Sequence, residues 1–197
     1  SAPAPTTYPV TVNPLPTATV ATNNASVCQS GPSPVVTFTG ASGVAPYTFS
    51  YTINGVSQPD VISSGNSKTI TVPTTTPGDY IYKLLSVTGN NSCAQPQTDG
   101  VKVTVNTLPI ATISGATVFC KNRPQPGSTF TGSNGTAPYT FTYKINNGAS
   151  QTAATTSGNN SITVPVATNI ADDFTYSLIS VADVNGCTQT VTGQSII

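Results

Sequence analysis

Large apolar residues fall on every second position in several short runs of this chain. Tyr47, Phe49, Tyr51 and Ile53 alternate with Thr48, Ser50 and Thr52, and Tyr139, Phe141, Tyr143 and Ile145 repeat the pattern. A period of two sends one set of side chains to a core and the other to water, so each run predicts a half-buried β-strand. The same reading covers Ile70 and Val72, then Tyr80, Tyr82 and Leu84, then Val101, Val103 and Val105. Asn54-Gly55, Pro77-Gly78 and Asn185-Gly186 lie between runs and supply turn chemistry. No segment carries a helical stripe.

The pattern occurs twice because the sequence does. FTGASGVAPYTFSYTING, starting at Phe38, returns as FTGSNGTAPYTFTYKINN, starting at Phe130, and Leu15, Cys28, Val72-Pro73 and Cys93 find counterparts in Leu108, Cys120, Val164-Pro165 and Cys187. Repetition at such a period marks a tandem array of one module. VTVNPLP from Val10 resembles VTVNTLP from Val103, which makes residues 1–13 the final strand or linker of a preceding repeat. Repeat 1 is then expected over 14–106 and repeat 2 over 107–197, as an excerpt of a longer array. Roughly seven short strands per repeat, separated by Gly, Pro and Asn, predict an all-β chain of two tandem immunoglobulin-like (PKD-like) antiparallel β-sandwich repeats. Two details differ from the immunoglobulin pattern. Gly78-Asp79-Tyr80 resembles a tyrosine corner, but repeat 2 has Phe174 in place of the Tyr; and with no Trp in the chain, the run Tyr47, Phe49, Tyr51 is expected to fill the sandwich centre.

Charge changes the functional picture. Only 6% of residues are charged, six basic against six acidic, where about a quarter is usual. The surface is neutral and polar, with no basic face for nucleic acid or an anionic membrane. No stretch is apolar enough to span a bilayer, so no membrane insertion by this segment is expected.

Each repeat carries two cysteines. Four cysteines allow three pairings, and the repeat favours Cys28 with Cys93 and Cys120 with Cys187, since each module would then fold alone. Closing two loops of about 65 residues is worth about 4 kcal/mol each in the chain-entropy model. A metal site is disfavoured by the absence of His and of any C-x-x-C spacing. Persistent disulfides imply an oxidising, extracellular setting.

The chain lacks His and Glu altogether, which removes the Ser-His-Asp and Cys-His arrangements and leaves carboxylate chemistry to six Asp. Asp172-Asp173 are adjacent and read as solvated loop residues rather than a facing catalytic pair. No catalytic, cofactor-binding or metal residues are assigned, and no cofactor is expected. Asp183 and Asn185 sit in a D-x-N-G turn, but the matching stretch of repeat 1 has no acid, so Asp183 reads as a turn former rather than a calcium ligand; Asp79 reads likewise. None of the five lysines recurs between repeats, which excludes a shared isopeptide crosslink. The Asn pairs at 23–24, 90–91, 146–147 and 159–160 offer a surface eligible for a glycan, and are also what tight turns require. Most Tyr fall on the core face, leaving Tyr8 outside the pattern. Pro109 and Leu108 in a linker of a few residues favour a semi-rigid rod over a flexible string.

The phrases V-x-C-Q-x-x-x-x-P-V-V-T-F-T-G, G-x-A-P-Y-T-F-x-Y-x-I-N, S-G-N and P-G-D-Y-I-Y-K-L-L-S-V-x-x-x-x-S-C resemble the tandem repeats of giant, SprB-like cell-surface adhesins of gliding Bacteroidetes, across nearly all of both repeats. The resemblance implies type IX secretion, display at the bacterial cell surface, gliding motility and adhesion to a substratum, with paired cysteines at Cys28, Cys93, Cys120 and Cys187. Repeat 2 departs from it at Lys121-Asn122-Arg123 and lacks the P-G-D-Y turn. The expected role is a structural, disulfide-stabilised stalk whose partners are neighbouring repeats and a surface polysaccharide or substratum. The alternatives are a polysaccharide-binding repeat acting by avidity, or an accessory module of a secreted hydrolase.

Overall fold

The computed structural model describes residues 7–115 and 118–196, with side chains through Gly193. Among these residues there is no helix. Residues 7–13 are exposed and carry no strand, while residues 1–6 of the expected preceding strand lie outside the described residues.

In chain order the first ten strands are β1 (Thr17–Thr22), β2 (Ser26–Cys28), β3 (Val35–Ala41), β4 (Tyr47–Ile53), β5 (Val56–Ser57), β6 (Val61–Ile62), β7 (Ser67–Thr71), β8 (Gly78–Gly89), β9 (Ala94–Pro96) and β10 (Gly100–Asn106). They form a sheet ordered β1-β3-β7 and a second ordered β2-β10-β8-β4-β5. Apolar residues from both sheets make one core. Val20, Phe38 and Val72 meet Tyr47, Phe49, Tyr51, Tyr82, Leu84, Val87 and Val103, so the two sheets are faces of one sandwich.

The remaining strands repeat this plan: β11 (Ile110–Gly115), β12 (Gly127–Ser133), β13 (Thr140–Ile145), β14 (Gln151–Ala154), β15 (Ser161–Pro165), β16 (Thr175–Ala182) and β17 (Thr188–Ile196). Their sheets run β11-β12-β15 and β14-β13-β16-β17. The fold is an all-β, immunoglobulin-like sandwich. Against the constant immunoglobulin division of four strands facing three, the switching strand here, β14, pairs with β13 instead of extending the β11 sheet. Phe130, Phe141, Tyr143, Tyr176, Leu178 and Val181 form the core.

The alternating aromatics fill the place a tryptophan would take. Phe38 stacks on Phe49 at 5.7 Å and lies 5.0 Å from Tyr51; Phe130 holds Phe141 at 5.6 Å and Tyr143 at 4.8 Å. The glycine of each F-T-G has a packing reason: a Cβ at Gly40 or Gly132 would sit 2.5 Å from the ring of Tyr47 or Tyr139. In both copies the A-P-Y segment has a cis Ala-Pro bond. The Tyr amide after it donates to a hydroxyl, Ser63 Oγ at 2.7 Å or Thr155 Oγ1 at 2.8 Å. Tyr80 and Phe174, at the expected tyrosine corner, are half-buried and pack against their cores.

Two features escape a strict period of two. Tyr51 pairs with Leu84 and Ser50 with Ser86, so Leu85 is the extra residue of a bulge; Ile179 is its counterpart between Tyr143–Leu178 and Thr142–Ser180. The bulge shifts the inward phase, which is why Val87 and Val181, rather than Ser86 and Ser180, are fully buried. The alignment of Val72 with Val164 is also corrected. Phe38 faces Lys68 and Phe130 faces Ile162, so two residues have been inserted ahead of β15. The counterpart of Val72 is Val166: both are buried, and their amides donate to Pro34 and Pro126 carbonyls at 2.8 and 2.9 Å. A slip of two preserves which face points inward, so the period alone does not reveal it.

Ser128 stands where repeat 1 has Val36; both are fully buried, and the Ser128 hydroxyl has no protein partner among the described residues. Ser128→Val is therefore expected to raise stability by about 1–2 kcal/mol, through added apolar burial and loss of an unpaired hydroxyl. Denaturant unfolding checks this, and a lowered midpoint would contradict it.

By packing, the chain divides into two compact units. One contains Pro32–Pro73, Asp79–Thr104 and the chain before Cys28; the other contains Cys28–Gly31, Thr74–Gly78 and the chain from Val105 onward. Two short loops of repeat 1 thus belong to the second unit.

Candidate functional site

The cysteines do not pair as the repeat symmetry favours. Cys28 is bonded to Cys187, with Cα atoms 5.5 Å apart, and Cys93 and Cys120 are thiols. The premise that each module closes on itself fails because Cys28, the last residue of β2, groups with the second compact unit and is bonded there to Cys187. Sequence offers no distance between Cys28 and either candidate partner. The bond lies within one compact unit but joins residues of different repeats, closing a separation of 159 residues.

Local backbone chemistry holds both sulfurs. Around Cys28, Gly31 N donates to Cys28 O at 2.9 Å, Ser30 N to Thr74 O at 2.8 Å, and Gln29 N to Asn106 O at 2.8 Å. Ser30 takes a positive φ of 59°, and Thr74 Oγ1 donates to Gly31 O at 2.9 Å. On the other side, Asp183 organises the turn. Its Oδ1 accepts from Asn185 N and Cys187 N, both at 3.0 Å, and its Oδ2 from Thr136 N at 3.1 Å and Asn185 Nδ2 at 3.2 Å. Asp183 is a turn former whose oxygens face N–H donors, and no group of three or more potential metal-ligating side chains occurs among the described residues. Repeat 1 builds the same turn differently. Gly89 replaces Asp183, and Asn91 Oδ1 accepts from Cys93 N at 3.3 Å; a Cβ at Gly89 would approach that Oδ1 to 2.9 Å. Asp183→Ala is expected to cost about 2–3 kcal/mol, since it strands several part-buried N–H donors; a change under about 0.5 kcal/mol on chemical denaturation would contradict this role.

Several asparagines of these loops spend side-chain atoms on hydrogen bonds within the protein. Asn54 Nδ2 donates to Asp79 O at 2.8 Å and Asn54 Oδ1 accepts from Ile81 N at 2.8 Å; Asn146 makes the same pair with Asp173 O and Thr175 N. Asn23 Oδ1 accepts from Val35 N, Asn24 Oδ1 from Ser26 N, and Asn159 Nδ2 donates to Thr156 Oγ1. Sequence could not separate these roles, because a residue suited to a sugar hydroxyl is equally suited to an amide. Of the aromatics, Tyr8 and Phe119 are the exposed ones among the described residues.

The acids are dispersed. Asp99 Oδ2 accepts from Val20 N at 2.8 Å, Asp60 is exposed, and Asp172-Asp173 lie in an exposed loop. Asp79 is on β8 rather than in a turn, and is held by Thr104 Oγ1 at 2.7 Å and Lys102 Nζ at 3.2 Å. The Thr104 hydroxyl foremost, then Lys102, holds its carboxyl below the ordinary range. Burial pushes the phenols of Tyr51, Tyr82, Tyr143 and Tyr176 up. A lowered carboxyl contributes stability that is present above its unfolded pKa and lost as pH falls through the folded one; raised phenols contribute below their unfolded pKa and lose it as pH rises through the folded one. With no His in the chain, the unfolding midpoint is expected to be flat from about pH 5 to 9, falling on either side. A step between about pH 6 and 8 would contradict this.

No family model and no curated protein matches the sequence. Among solved structures the chain is similar to a biofilm associated protein BSP domain, at 15% identity and a TM-score of 0.33, over 93% of this chain and 29% of that one. It is also similar to fibronectin(III)-like modules of Clostridium thermocellum CbhA, at 12% identity and a TM-score of 0.38, over 89% of this chain and 92% of that one. The chain spans under a third of the length of the first of these.

Proposed function

We propose that this chain is a structural repeat segment of a secreted bacterial cell-surface adhesin, serving as a disulfide-stabilised stalk in adhesion and gliding rather than as the adhesive tip or an enzyme. The observation that carries the reading is the Cys28–Cys187 bond, which ties residues of successive repeats together and closes 159 residues of chain against extension. Three further features support it. Asn23, Asn24, Asn91, Asn146 and Asn159 of the four Asn pairs spend side-chain atoms on hydrogen bonds within the protein, the aromatic rings other than Tyr8 and Phe119 lie in or against the cores, and the six acids are spread along the chain. The motif resemblance to gliding-bacteria adhesins supplies the setting: type IX secretion, an outer-surface location and a host protein anchored through other segments.

Binding of the purified chain to a panel of polysaccharides and surfaces, at increasing copy number, tests the stalk role. The expected result is no saturable binding at any copy number. Saturable binding that tightens with copy number would instead make each repeat an adhesive element acting by avidity.

A further inference from the structure

The chain approaches the Cys28–Cys187 bond along a straight course. β1 runs antiparallel to β3, and β3 returns through a short connection at 42–46 into β4, with Gly40 against the Tyr47 ring. β4 runs antiparallel to β8, and β10 opposes β8 in turn, since Gly100 lies against Tyr82 and Lys83 while Thr104 Oγ1 donates to Asp79 Oδ1. β1, β4 and β10 therefore point the same way. β2 joins them: Thr104 N donates to Ala25 O at 2.9 Å and Gln29 N to Asn106 O at 2.8 Å, so residue numbers rise together along both strands. Thr17 to Cys28 is one line that changes sheet between β1 and β2 without changing direction.

Both flanks of β1 are tied. On one side it makes its ladder with β3, from Thr17–Ala41 to Thr22–Val36. On its open edge Ala18 N donates to Gln97 Oε1 at 3.3 Å and Val20 N to Asp99 Oδ2 at 2.8 Å. Gln97 and Asp99 are themselves fixed to β8, through Gln97 N to Leu85 O at 2.8 Å and Leu84 N to Asp99 O at 2.9 Å. The two side chains thus latch β1 of one sheet to β8 of the other. Counted from the cysteines Cys93 and Cys187, Asp99 corresponds to Gly193, where a Cβ would lie 3.1 Å from Ile113 Cγ2, so repeat 2 closes the same seam by backbone approach. Beyond the bond, β17 begins at the residue after Cys187 and is already extended.

We infer that the disulfide and these strands form a tension bypass: a load along the chain passes through β1 and β2, across the sulfurs of Cys28 and Cys187 and out through β17. The strands from β3 to β16, which supply most of both cores, lie outside that path. A strand is already within a few tenths of an ångström per residue of the fully extended chain, so straightening Thr17–Cys28 and Cys187–Ile196 adds under about 10 Å. The sandwiches are carried by the loaded line and are not pulled open by it. Core stability then governs the mechanics of the reduced chain only. The inference rests on the stalk reading for the source of the tension, and deepens it by naming the residues that bear it.

The test holds the full chain by its two ends in magnetic tweezers and ramps the force, after peptide mapping of the disulfide in the same preparation. The parent is compared with Phe38→Ala, which weakens the first core, and with Asp99→Ala, which removes the latch and keeps the comparison open if Phe38→Ala does not fold. Oxidised, every chain is expected to lengthen smoothly, with no step above about 20 Å. In reductant each is expected to release one or more long steps, at lower force in the two variants than in the parent. With the Cys28–Cys187 bond mapped, an oxidised step above about 20 Å, or oxidised variants that yield at lower force than the parent, would overturn the bypass and leave the stalk reading in place. Saturable surface binding that tightens with copy number would overturn the stalk reading and leave the bypass standing. A different pairing on mapping would overturn both.

Discussion

Replacing Phe130 with alanine is expected to destabilise the second sandwich by about 3–5 kcal/mol. The ring has no exposed surface and sits between Phe141 and Tyr143, on the strand that is central to its three-stranded sheet. Removing it takes away apolar burial and two ring contacts, and leaves a cavity that strands paired on both sides cannot readily close. Phe38→Ala is expected to do the same to the first sandwich, because Phe38 has the same neighbours by position, Phe49 and Tyr51. Urea titrations with probes in each unit should show the transition of the mutated unit moving to lower denaturant. A loss below about 1 kcal/mol would mean that the aromatic run is not the centre of the core.

Cys28→Ser is expected to cost about 2–4 kcal/mol under oxidising conditions, and almost nothing in the presence of a reductant. The bond closes a long loop, so its main effect is to restrict the unfolded chain. Cys93→Ser and Cys120→Ser are expected to change stability by less than about 0.5 kcal/mol, because neither residue is bonded and Cys120 is exposed. A pairing within each repeat makes the opposite forecast, with Cys93→Ser as costly as Cys28→Ser.

Much of this fold is legible in the sequence, for identifiable reasons. Tyr47, Phe49 and Tyr51 alternate strictly, and all three are buried where the period of two puts them. Asn54-Gly55 reads as a tight hairpin turn, and both residues have positive φ, 50° and 81°, between β4 and β5. The bulges at Leu85 and Ile179 were available as a phase slip, since Tyr82 and Leu84 are followed by Val87 rather than by an apolar residue at 86. The insertion before β15 was hidden by a coincidence of Val-Pro pairs at 72–73 and 164–165, which the strand register separates. The cysteine pairing was the least accessible. It depends on two loops of repeat 1 packing with the second unit, and periodicity within a repeat carries no information about that.

The second sulfur-bearing turn shows how sequence symmetry can conceal structural symmetry. Asp183 and Asn91 are not aligned residues, yet their side-chain oxygens accept from the amide of the cysteine in equivalent turns. A comparison by identity finds an acid present in one copy and absent in the other, and so finds no shared role. A comparison by acceptor position finds the same turn twice.

Pulling the chain from both termini in a single-molecule force experiment, before and after adding a reductant, tests the stalk account most directly. With Cys28 bonded to Cys187, unfolding in the oxidised state releases only the segments outside that pair. Reduction then frees the 159-residue separation, a further contour length of roughly 520–570 Å. The account predicts one large reductant-dependent gain of that size. Extension of the segment between Cys93 and Cys120 before any reductant is added, followed by two smaller gains of roughly 210–240 Å each, would show that each repeat is closed on itself and would contradict it.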